Sequence, residues 1–365
     1  IPDDASVLIM YGDVPLIRQS TLAPLCDIAG QGFVGVLTAE LEDPTGYGRI
    51  LHHADGSISG IVEEKDASSA EKSIREINTG FIAAPAVKLR RWIDALDNNN
   101  SQGEYYLTDV IARAVADGVS VRGLSADSIE EVLGINDRMQ LAAQERCFQY
   151  QRAVECMREG ITLSDPARFD LRGKLQAGED VIIDINAVLE GNVCLGNRVL
   201  IGPNVVLSNV TIGDDVTILA NCVIEDAEIG NAVRIGPFAR IRPQTRLADN
   251  THVGNFVEIK KSDIGKGSKV NHLSYIGDTT VGINVNIGAG AITCNYDGAN
   301  KHRTVIGDNA FIGSDSQLVA PVKVGDGATI GAGSTITRDT PDGELTLSRC
   351  EQKTLSGWQR PVKKK

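Results

Sequence analysis

An aliphatic residue followed directly by glycine recurs along the C-terminal half of the chain, and this repeat constrains the fold more than any other feature. Ile235 and Val253 lie eighteen residues apart, and so do Ile306 and Val324. Elsewhere one pair follows another after six residues. The examples are Leu195-Gly196 with Ile201-Gly202, Ile229-Gly230 with Ile235-Gly236, Ile306-Gly307 with Ile312-Gly313, and Val324-Gly325 with Ile330-Gly331. Hexapeptide repeats are the signature of a parallel β-helix.

Six residues make one short strand and one turn, and three repeats make a triangular coil. The aliphatic side chain points inward and stacks on its equivalent, while the small residue beside it lets the chain turn. A single coil cannot bury its own face, so the stack is the cooperative unit. The alternative is two-layer β structure with chance Ile-Gly pairs, which so many in-phase pairs disfavour. Hexapeptide coils are known to wind left-handed, an exception to the right-handed crossover rule, although the periodicity alone does not indicate the hand.

The N-terminal part has a different pattern, which predicts mixed α/β structure over residues 1–137. Val7–Tyr11 is a short apolar run of the kind buried in a parallel sheet, and Phe33–Leu37 reads as the next strand. Residues 88–96 and 108–116 have helical spacing. Asn136 is a suitable N-cap for a connector helix. We therefore predict a linker helix at 138–160, the β-helix domain at 161–344 and a C-terminal tail at 345–365.

Charge and cysteine content narrow the classes of function. The net charge of −12 disfavours a nucleic-acid or anionic-membrane surface as the binding partner. The seven cysteines are odd in number and form no C-x-x-C motif, which favours reduced thiols in the cytoplasm. No run is long and apolar enough to span a bilayer.

The repeat slips at several places, and one group of slips surrounds polar residues. Val253 to Ile264 is eleven residues and Ile276 to Val281 is five. These slips lie near Lys260, His272, Tyr275 and the loop 295–303. Because loops on a rigid scaffold commonly carry function, this region is the candidate site.

Several long motifs resemble a known family. In the first half they are Tyr11-Gly-Asp-Val-Pro15, Asp43-Pro-Thr-Gly-Tyr-Gly-Arg49, Ile61-Val-Glu-Glu-Lys65, Glu76-Ile-Asn-Thr-Gly80 and Gly103-Glu-Tyr-Tyr-Leu-Thr-Asp109. In the second half they are His252-Val-Gly-Asn-Phe-Val-Glu258, Asn286-Ile-Gly-Ala-Gly290 and Cys294-Asn-Tyr-Asp-Gly-Ala-Asn-Lys301. The chain resembles the bacterial bifunctional N-acetylglucosamine-1-phosphate uridylyltransferase/glucosamine-1-phosphate acetyltransferases over its whole length.

The resemblance implies an α/β, partly Rossmann-like nucleotidyltransferase domain followed by a left-handed parallel β-helix. It implies acetyl transfer from acetyl-CoA to glucosamine-1-phosphate, and uridylyl transfer from UTP to give UDP-N-acetylglucosamine for cell-wall precursors. It also implies a homotrimer with acetyl-transfer sites between neighbouring β-helices.

Acetyl transfer requires a neutral amine, and a histidine can remove the amine proton because its unperturbed pKa lies near neutrality. The resemblance assigns this role to His272, with Glu258 orienting the imidazole or holding the substrate amine. It assigns sugar-phosphate binding to Arg242, Lys260, Tyr275 and Asn286. It assigns acetyl-CoA binding to Ala289, Asn295, Tyr296, Ser314, Ala332 and Arg349, with Lys363–Lys365 as further contacts for the CoA phosphates. The sequence does not identify the oxyanion donor that the reaction needs.

For uridylyl transfer the resemblance implies a Mg²⁺ site at Asp13 and Asn136, whose oxygen atoms suit that cation. It assigns UDP-N-acetylglucosamine binding to Tyr11, Gly12, Asp13, Gly48, Glu63, Asn78 and Asn136. The family begins with a Gly-rich, Arg-containing phosphate loop and a lysine that this sequence does not contain. We therefore expect no measurable UTP-dependent release of pyrophosphate.

Three alternatives remain open at this point. A β-helix carbonic anhydrase would need His252, His272 and His302 to converge on a metal, although their spacings are not whole coils. The β-helix could instead be a non-catalytic assembly scaffold. It could also belong to another hexapeptide acyltransferase, acting on a different amine or on serine.

Overall fold

The aliphatic positions of the hexapeptide pattern are buried in the structure, a computed structural model that describes residues 1–361 and 363. Ile235, Ile241, Ile259 and Ile276 are each at most 1% exposed. They belong to one hydrophobic core that runs along the β-helix. Burying such a side chain stabilises the fold by about 1.5–3 kcal/mol, so the stacked column is the main source of stability.

Short parallel strands form three faces of the β-helix, which we number in the order that the chain visits them. Face 1 is one eleven-stranded sheet. Its strands are β7 (Thr162–Leu163), β9 (Ile182–Ile183), β11 (Leu200–Ile201), β13 (Thr217–Ile218), β15 (Arg234–Ile235), β18 (His252–Asn255), β21 (Lys269–His272), β24 (Asn286–Ile287), β27 (Phe311–Ile312), β30 (Thr329–Ile330) and β32 (Leu345–Thr346).

Faces 2 and 3 are joined because the first coils carry longer strands that continue from one face to the next. These are β8 (Phe169–Ala177), β10 (Ala187–Leu195), β12 (Val206–Ile212) and β14 (Val223–Ile229). Face 2 continues with β16 (Arg240–Ile241), β19 (Glu258–Lys260), β22 (Tyr275–Gly277), β25 (Ile292–Cys294), β28 (Gln317–Val319) and β31 (Thr335–Ile336). Face 3 continues with β17 (Thr245–Leu247), β20 (Asp263–Ile264), β23 (Thr279–Val281), β26 (Thr304–Ile306) and β29 (Val322–Val324).

Side-chain amides and carboxylates satisfy the backbone at the corner between faces 3 and 1. The Oδ1 atom of Asp214 accepts a hydrogen bond from the Asn197 N–H at 2.7 Å, and Asn231 and Asp249 repeat this contact in the next two coils. Because each of these side chains pairs a backbone N–H that the turn leaves without a strand partner, this ladder explains why Asn or Asp follows the repeat glycine.

One coil is enlarged by the predicted loop 295–303, which follows β25 and precedes β26. An antiparallel bridge between Tyr296 and Lys301 closes it into a small hairpin. The loop therefore interrupts the repeat between faces 2 and 3 without disturbing the coil stack on either side.

The N-terminal unit contains a six-stranded mixed sheet with helices packed on it. Its strands are β1 (Ser6–Ile9), β2 (Val34–Glu40), β3 (Arg49–His52), β4 (Ile58–Val62), β5 (Glu76–Pro85) and β6 (Val121–Ser125). Its helices are α1 (Gln19–Gly30), α2 (Ser69–Lys72), α3 (Ala86–Asp94) and α4 (Asp109–Ala116), with a 3-10 turn at Glu130–Val132. A second 3-10 turn, Pro166–Arg168, lies in the C-terminal unit.

The predicted burial of the first strand in a parallel sheet is wrong. β1 pairs antiparallel with β5 and is only half-buried, whereas the parallel pair of this sheet is β2 with β6. An apolar run of four residues carries no information about strand direction, because the pairing depends on distant segments.

The chain divides into two compact units, Ile1–Phe148 and Gln149–Lys365, and the division falls within helix α5 (Arg138–Arg158). The predicted N-cap role of Asn136 is wrong by one position, since Asp137 Oδ1 accepts the Gln140 N–H at 2.8 Å. Among the described residues, no helix is long and apolar enough to cross a membrane.

Candidate functional site

His272 lies at the end of β21, on the corner where face 1 turns into face 2. Its neighbour in the preceding coil is Asn255, with which it is in register. The Nδ1 atom of His272 lies 2.8 Å from Asn255 Oδ1. The side chain of His272 is exposed, so a substrate can reach it from solvent. Asn255 is absent from the set of site residues that the sequence predicts.

The same corner carries only small side chains in the coils that follow His272. Gly290 N–H donates to the His272 carbonyl at 3.1 Å, Asp315 N–H to the Ala289 carbonyl at 2.7 Å, and Gly333 N–H to the Ser314 carbonyl at 2.8 Å. These bonds bring His272, Ala289, Ser314 and Ala332 to equivalent positions in four successive coils. Three predicted acetyl-CoA contacts thus continue the line that begins at His272.

Arg349 lies at the far end of this line. Its Nη1 donates to the Ala332 carbonyl at 2.7 Å. A guanidinium is thereby held beside the row of small side chains, where it could meet a phosphate. Of the predicted tail contacts, Lys363 is exposed, and Lys364 and Lys365 lie outside the described residues.

Face 2 presents charged groups next to this corner. Glu258 and Tyr275 are in register on neighbouring strands, and Arg242 Nη1 donates to Glu258 Oε1 at 2.7 Å. This ion pair further raises the pKa of Arg242, so its guanidinium remains charged at all working pH values. Glu258 is therefore engaged by Arg242, and the residue that the His272 imidazole hydrogen-bonds is Asn255.

Lys260 forms a cationic cluster with Lys301 and Arg242. The neighbouring Lys301 amine and partial burial lower the pKa of Lys260, with Arg242 adding to the effect. Lys301 belongs to the loop hairpin, forty-one residues further along the chain. Three cations gathered without an equal number of carboxylates suit a dianionic phosphate. Lys301 ends one of the family motifs but is not among the site residues that the sequence predicts.

A buried carboxylate anchors the first residue of the loop. Asp278 accepts a hydrogen bond from Asn295 Nδ2 and has 8% of its side chain exposed. Lys261 Nζ lies 3.7 Å from the other oxygen of Asp278, and Asn295 Nδ2 also reaches the Tyr275 hydroxyl at 3.5 Å. Asn295 and Tyr275, both predicted site residues, are thus in contact, while Tyr296 is exposed beside them.

The other end of the loop is held on face 3. Arg303 Nη2 lies 2.9 Å from Asp263 Oδ2, and its Nε donates to Thr280 Oγ1 at 2.9 Å. Within the loop, His302 hydrogen-bonds Asp297 at 2.7 Å, and backbone N–H groups together with His302 lower the pKa of Asp297 strongly. Asn286, by contrast, lies on face 1, on the strand next to the one that bears His272.

The second predicted site forms a cavity of about 420 Å³ in the N-terminal unit. Six of the seven predicted sugar-nucleotide contacts line it, namely Tyr11, Asp13, Gly48, Glu63, Asn78 and Asn136. Gly12, the seventh, lies between Tyr11 and Asp13 in sequence and is not among the lining residues. Burial raises the pKa of the Tyr11 hydroxyl, and the nearby Glu63 and Asp13 carboxylates raise it further.

Asp13 and Asn136 reach this cavity from two different segments of the chain. A backbone hydrogen bond joins the segments, in which the Ile135 N–H donates to the Asp13 carbonyl at 2.9 Å. A Cβ on Gly80 would lie 1.9 Å from the Tyr11 ring, so only glycine lets the ring pack there. One carboxylate and one amide oxygen form a donor set that fits Mg²⁺.

Two of the three histidines of the carbonic anhydrase alternative hydrogen-bond residues in different parts of the β-helix domain. His272 contacts Asn255 and His302 contacts Asp297. Among the described residues, no group of three His, Cys, Asp or Glu side chains could hold a metal ion.

Comparison with known proteins gives consistent matches. A bacterial transferase hexapeptide model (six repeats) matches residues 303–338, and a GMPPB C-terminal domain model matches 171–247. The bifunctional protein GlmU of Methylococcus capsulatus is 58% identical over 364 residues, covering 100% of this chain and 79% of that protein. GlmU of Ralstonia nicotianae is 54% identical and is covered to 80%. The chain belongs to the GlmU family.

Solved structures with a related repeat include the UDP-N-acetylglucosamine acyltransferase of Campylobacter jejuni. It is 21% identical, with 51% of this chain and 71% of that chain covered and a TM-score of 0.32. Membership of the GlmU family confirms the fold and the enzyme class expected from the sequence, an acyltransferase that also carries a nucleotidyltransferase domain, in UDP-N-acetylglucosamine synthesis. The scaffold and other-acyltransferase alternatives are not favoured.

Proposed function

We propose that this GlmU chain acetylates glucosamine-1-phosphate at the corner occupied by His272. One observation carries the proposal: His272 begins the line of small residues Ala289, Ser314 and Ala332, and it stands at the corner that leads into face 2, where Lys260 lies. Acetyl-CoA would lie along the corner with its thioester near the imidazole. The sugar phosphate would lie on face 2, so that its amine meets the thioester carbonyl.

In the proposed reaction His272 takes a proton from the amine as the nitrogen attacks the carbonyl carbon. The tetrahedral intermediate then expels CoA as its thiolate, which takes up the proton that His272 removed from the amine. The oxyanion needs a donor, and the Ala289 N–H is our candidate, since no acceptor for it is found among the described residues. It adjoins Gly290, whose N–H fixes the backbone of His272.

Substrate binding in this proposal relies on charge. Arg242, Lys260 and Lys301 would bind the sugar phosphate, with Tyr275 and Asn286 contacting the sugar. Asn295 and Tyr296 would border the acetyl group, and Arg349 would meet a phosphate of CoA. The cluster of cations offsets the chain's net charge of −12 where an anionic substrate must bind.

The test is an acetyl-transfer assay of a His272→Ala variant, in which the release of the CoA thiol is monitored. We expect turnover to fall by about 10²–10⁴-fold, because general-base catalysis contributes that much. His53→Ala, at an exposed histidine of the N-terminal unit, is the matched control and should keep full activity. Near-wild-type turnover of the His272 variant would remove the general-base role.

For the N-terminal cavity we propose binding of UDP-N-acetylglucosamine with Mg²⁺ held by Asp13 and Asn136. When bound, the ion would neutralise phosphate charge. Tyr11, Gly48, Glu63 and Asn78 would contact the nucleotide sugar, with Gly12 in the same segment. Calorimetric titration of the protein with UDP-N-acetylglucosamine, once in the presence of Mg²⁺ and once in EDTA, tests this site. Asp13→Asn should abolish the difference between the two titrations, and a persistent difference would contradict the assignment.

We also propose a homotrimer in the cytoplasm. Phe238, Phe256 and Leu273 occupy one corner in three successive coils, are each about half or more exposed, and adjoin Asn255 and His272. Such an apolar ladder beside the site favours coverage by a second copy of the chain. No disulfide is formed among the described residues, which favours a reducing compartment. Light scattering that reports an active monomer would contradict the trimer.

A further inference from the structure

The imidazole of His272 hydrogen-bonds Asn255, whereas the family resemblance implies that Glu258 either orients this ring or holds the substrate amine. The bond joins Nδ1 to Asn255 Oδ1 at 2.8 Å. An amide oxygen can only accept a hydrogen bond, so Nδ1 must carry the proton. The lone pair is then left on Nε2, because the partner of one ring nitrogen determines the state of the other.

The backbone on both sides of this contact is fixed. Leu273 N–H donates to the Asn255 carbonyl at 3.1 Å, which locks β18 and β21 in register. Gly254 allows this close approach, because a Cβ there would lie 1.8 Å from the Asn271 carbonyl oxygen. The His272 carbonyl accepts from the buried Ser274 hydroxyl at 2.8 Å and from Gly290 N–H in the next coil.

We infer that Asn255 is a positioning residue for acetyl transfer, which holds the His272 imidazole in the tautomer whose Nε2 accepts the amine proton. The inference rests on the general-base role proposed above. A neutral amide orients the ring without adding a negative charge, so it does not favour the protonated, inactive imidazolium as a carboxylate would. Glu258, which is paired with Arg242, is left for the substrate side of the site.

Few other ionisable groups surround the imidazole on the adjoining strands. His252 and Lys269 lie on face 1, and Glu258 and Tyr275 lie on face 2. None of these is an unpaired carboxylate, since the Glu258 carboxylate bonds Arg242. A carboxylate introduced at position 255 would therefore be the dominant new charge beside the ring.

The first measurement is independent of turnover. The ¹⁵N shifts of the imidazole, assigned by comparison with His272→Ala among the chain's five histidines, report which nitrogen carries the proton. We expect Nδ1–H in the wild type and a tautomer mixture in Asn255→Ala. A proton on Nε2 in the wild type would overturn the inference, whether or not the enzyme transfers acetyl groups.

The second measurement is the pH profile of acetyl transfer. Asn255→Ala should lower kcat by about 10²-fold through misplacement of the base, while KM for acetyl-CoA stays within about twofold. Asn255→Asp should move the acid limb of the kcat/KM profile upward by about one pH unit. Asn204→Ala removes a corner asparagine whose side chain hydrogen-bonds Asn186 and Asn221, and it should change neither kcat nor the pH profile. An unmoved acid limb in Asn255→Asp, or unchanged kcat in Asn255→Ala, would refute the positioning role.

If the wild type itself shows no acetyl transfer, the proposed function fails, and the tautomer measurement still decides the structural part of the inference.

Discussion

Arg242 and Glu258 form an ion pair between neighbouring coils, with Nη1 2.7 Å from Oε1. Both side chains are about one-third exposed, at 36% and 37%. Exposed pairs of this kind contribute only about 0–1 kcal/mol to stability. The geometry of the pair therefore matters chiefly for the orientation of the guanidinium, which we propose binds the sugar phosphate.

Glu258→Gln should separate the contribution of the ion pair to stability from its contribution to the orientation of Arg242. We expect the thermal midpoint to remain within about 2 °C of wild type, because the pair adds little stability. We expect kcat/KM for glucosamine-1-phosphate to fall by about tenfold or more, because Arg242 loses its orienting partner. Glu228→Gln breaks the pair with Arg246 on face 3 and is the control. Equal kcat/KM in both variants would contradict the prediction.

Lys301→Met should change the pH dependence of substrate binding. Binding of the phosphate requires protonated Lys260, and its lowered pKa means that KM begins to rise at a lower pH than for an ordinary lysine. Removing Lys301 weakens binding at every pH, by about threefold to tenfold, since one cation is lost. It also moves the rise in KM to higher pH, because the repulsion that lowers the pKa of Lys260 is gone.

The same substitution has a defined effect on folding. A lowered lysine pKa opposes folding at pH values below the folded-state pKa, and this penalty disappears as the pH rises above the unfolded-state value. Lys301→Met should therefore leave stability unchanged or slightly higher at pH 7. Lys266→Met, at an exposed corner, is the control for both measurements. A rise in KM at the same pH as in the wild type would contradict the coupling.

Arg303→Gln tests whether the face 3 anchor holds the loop. The guanidinium bonds Asp263 and Thr280, and its loss should let the 295–303 hairpin move away from the site. We expect KM for acetyl-CoA to rise by about fivefold or more, from loosened Asn295 and Tyr296 contacts. Arg246→Gln removes a comparable exposed ion pair on the same face that is not attached to the loop. The prediction fails if the two variants have the same KM.

Ala332→Trp tests the line of small residues. An indole at this exposed corner position would fill the space beside Ser314 and Arg349. We expect acetyl-CoA binding to weaken by about 10²-fold, while the thermal midpoint changes little, because the site is on the surface. Thr337→Trp places the same ring on a different exposed position of that coil. Isothermal titration of both variants with CoA is the measurement, and unchanged affinity in Ala332→Trp would contradict the proposed acetyl-CoA site along this line of small residues.

The sequence by itself predicts the β-helix because its information is local and repeated. Each six-residue unit determines where the inward aliphatic side chain and the turn lie, and each coil packs on the coils next to it in sequence. Ile235, Ile259 and Ile276 are accordingly buried where the repeat predicts. The N-terminal sheet is less predictable, because the antiparallel pairing of β1 with β5 joins segments about seventy residues apart.

The family motifs also identify site residues that the structure brings together, such as His272 with Ala289 and Tyr275 with Asn295. What only the tertiary structure decides is which side chain touches which. Asn255 reaches the imidazole because two coils stack in register, and Lys301 reaches Lys260 because a loop inserted into one coil is clamped by Asp278 and Asp263. Hydrogen bonds and ion pairs form or fail when the distance between two atoms changes by a few tenths of an ångström. Such distances are determined by the packing of whole coils, whereas the repeat determines only which residues point inward.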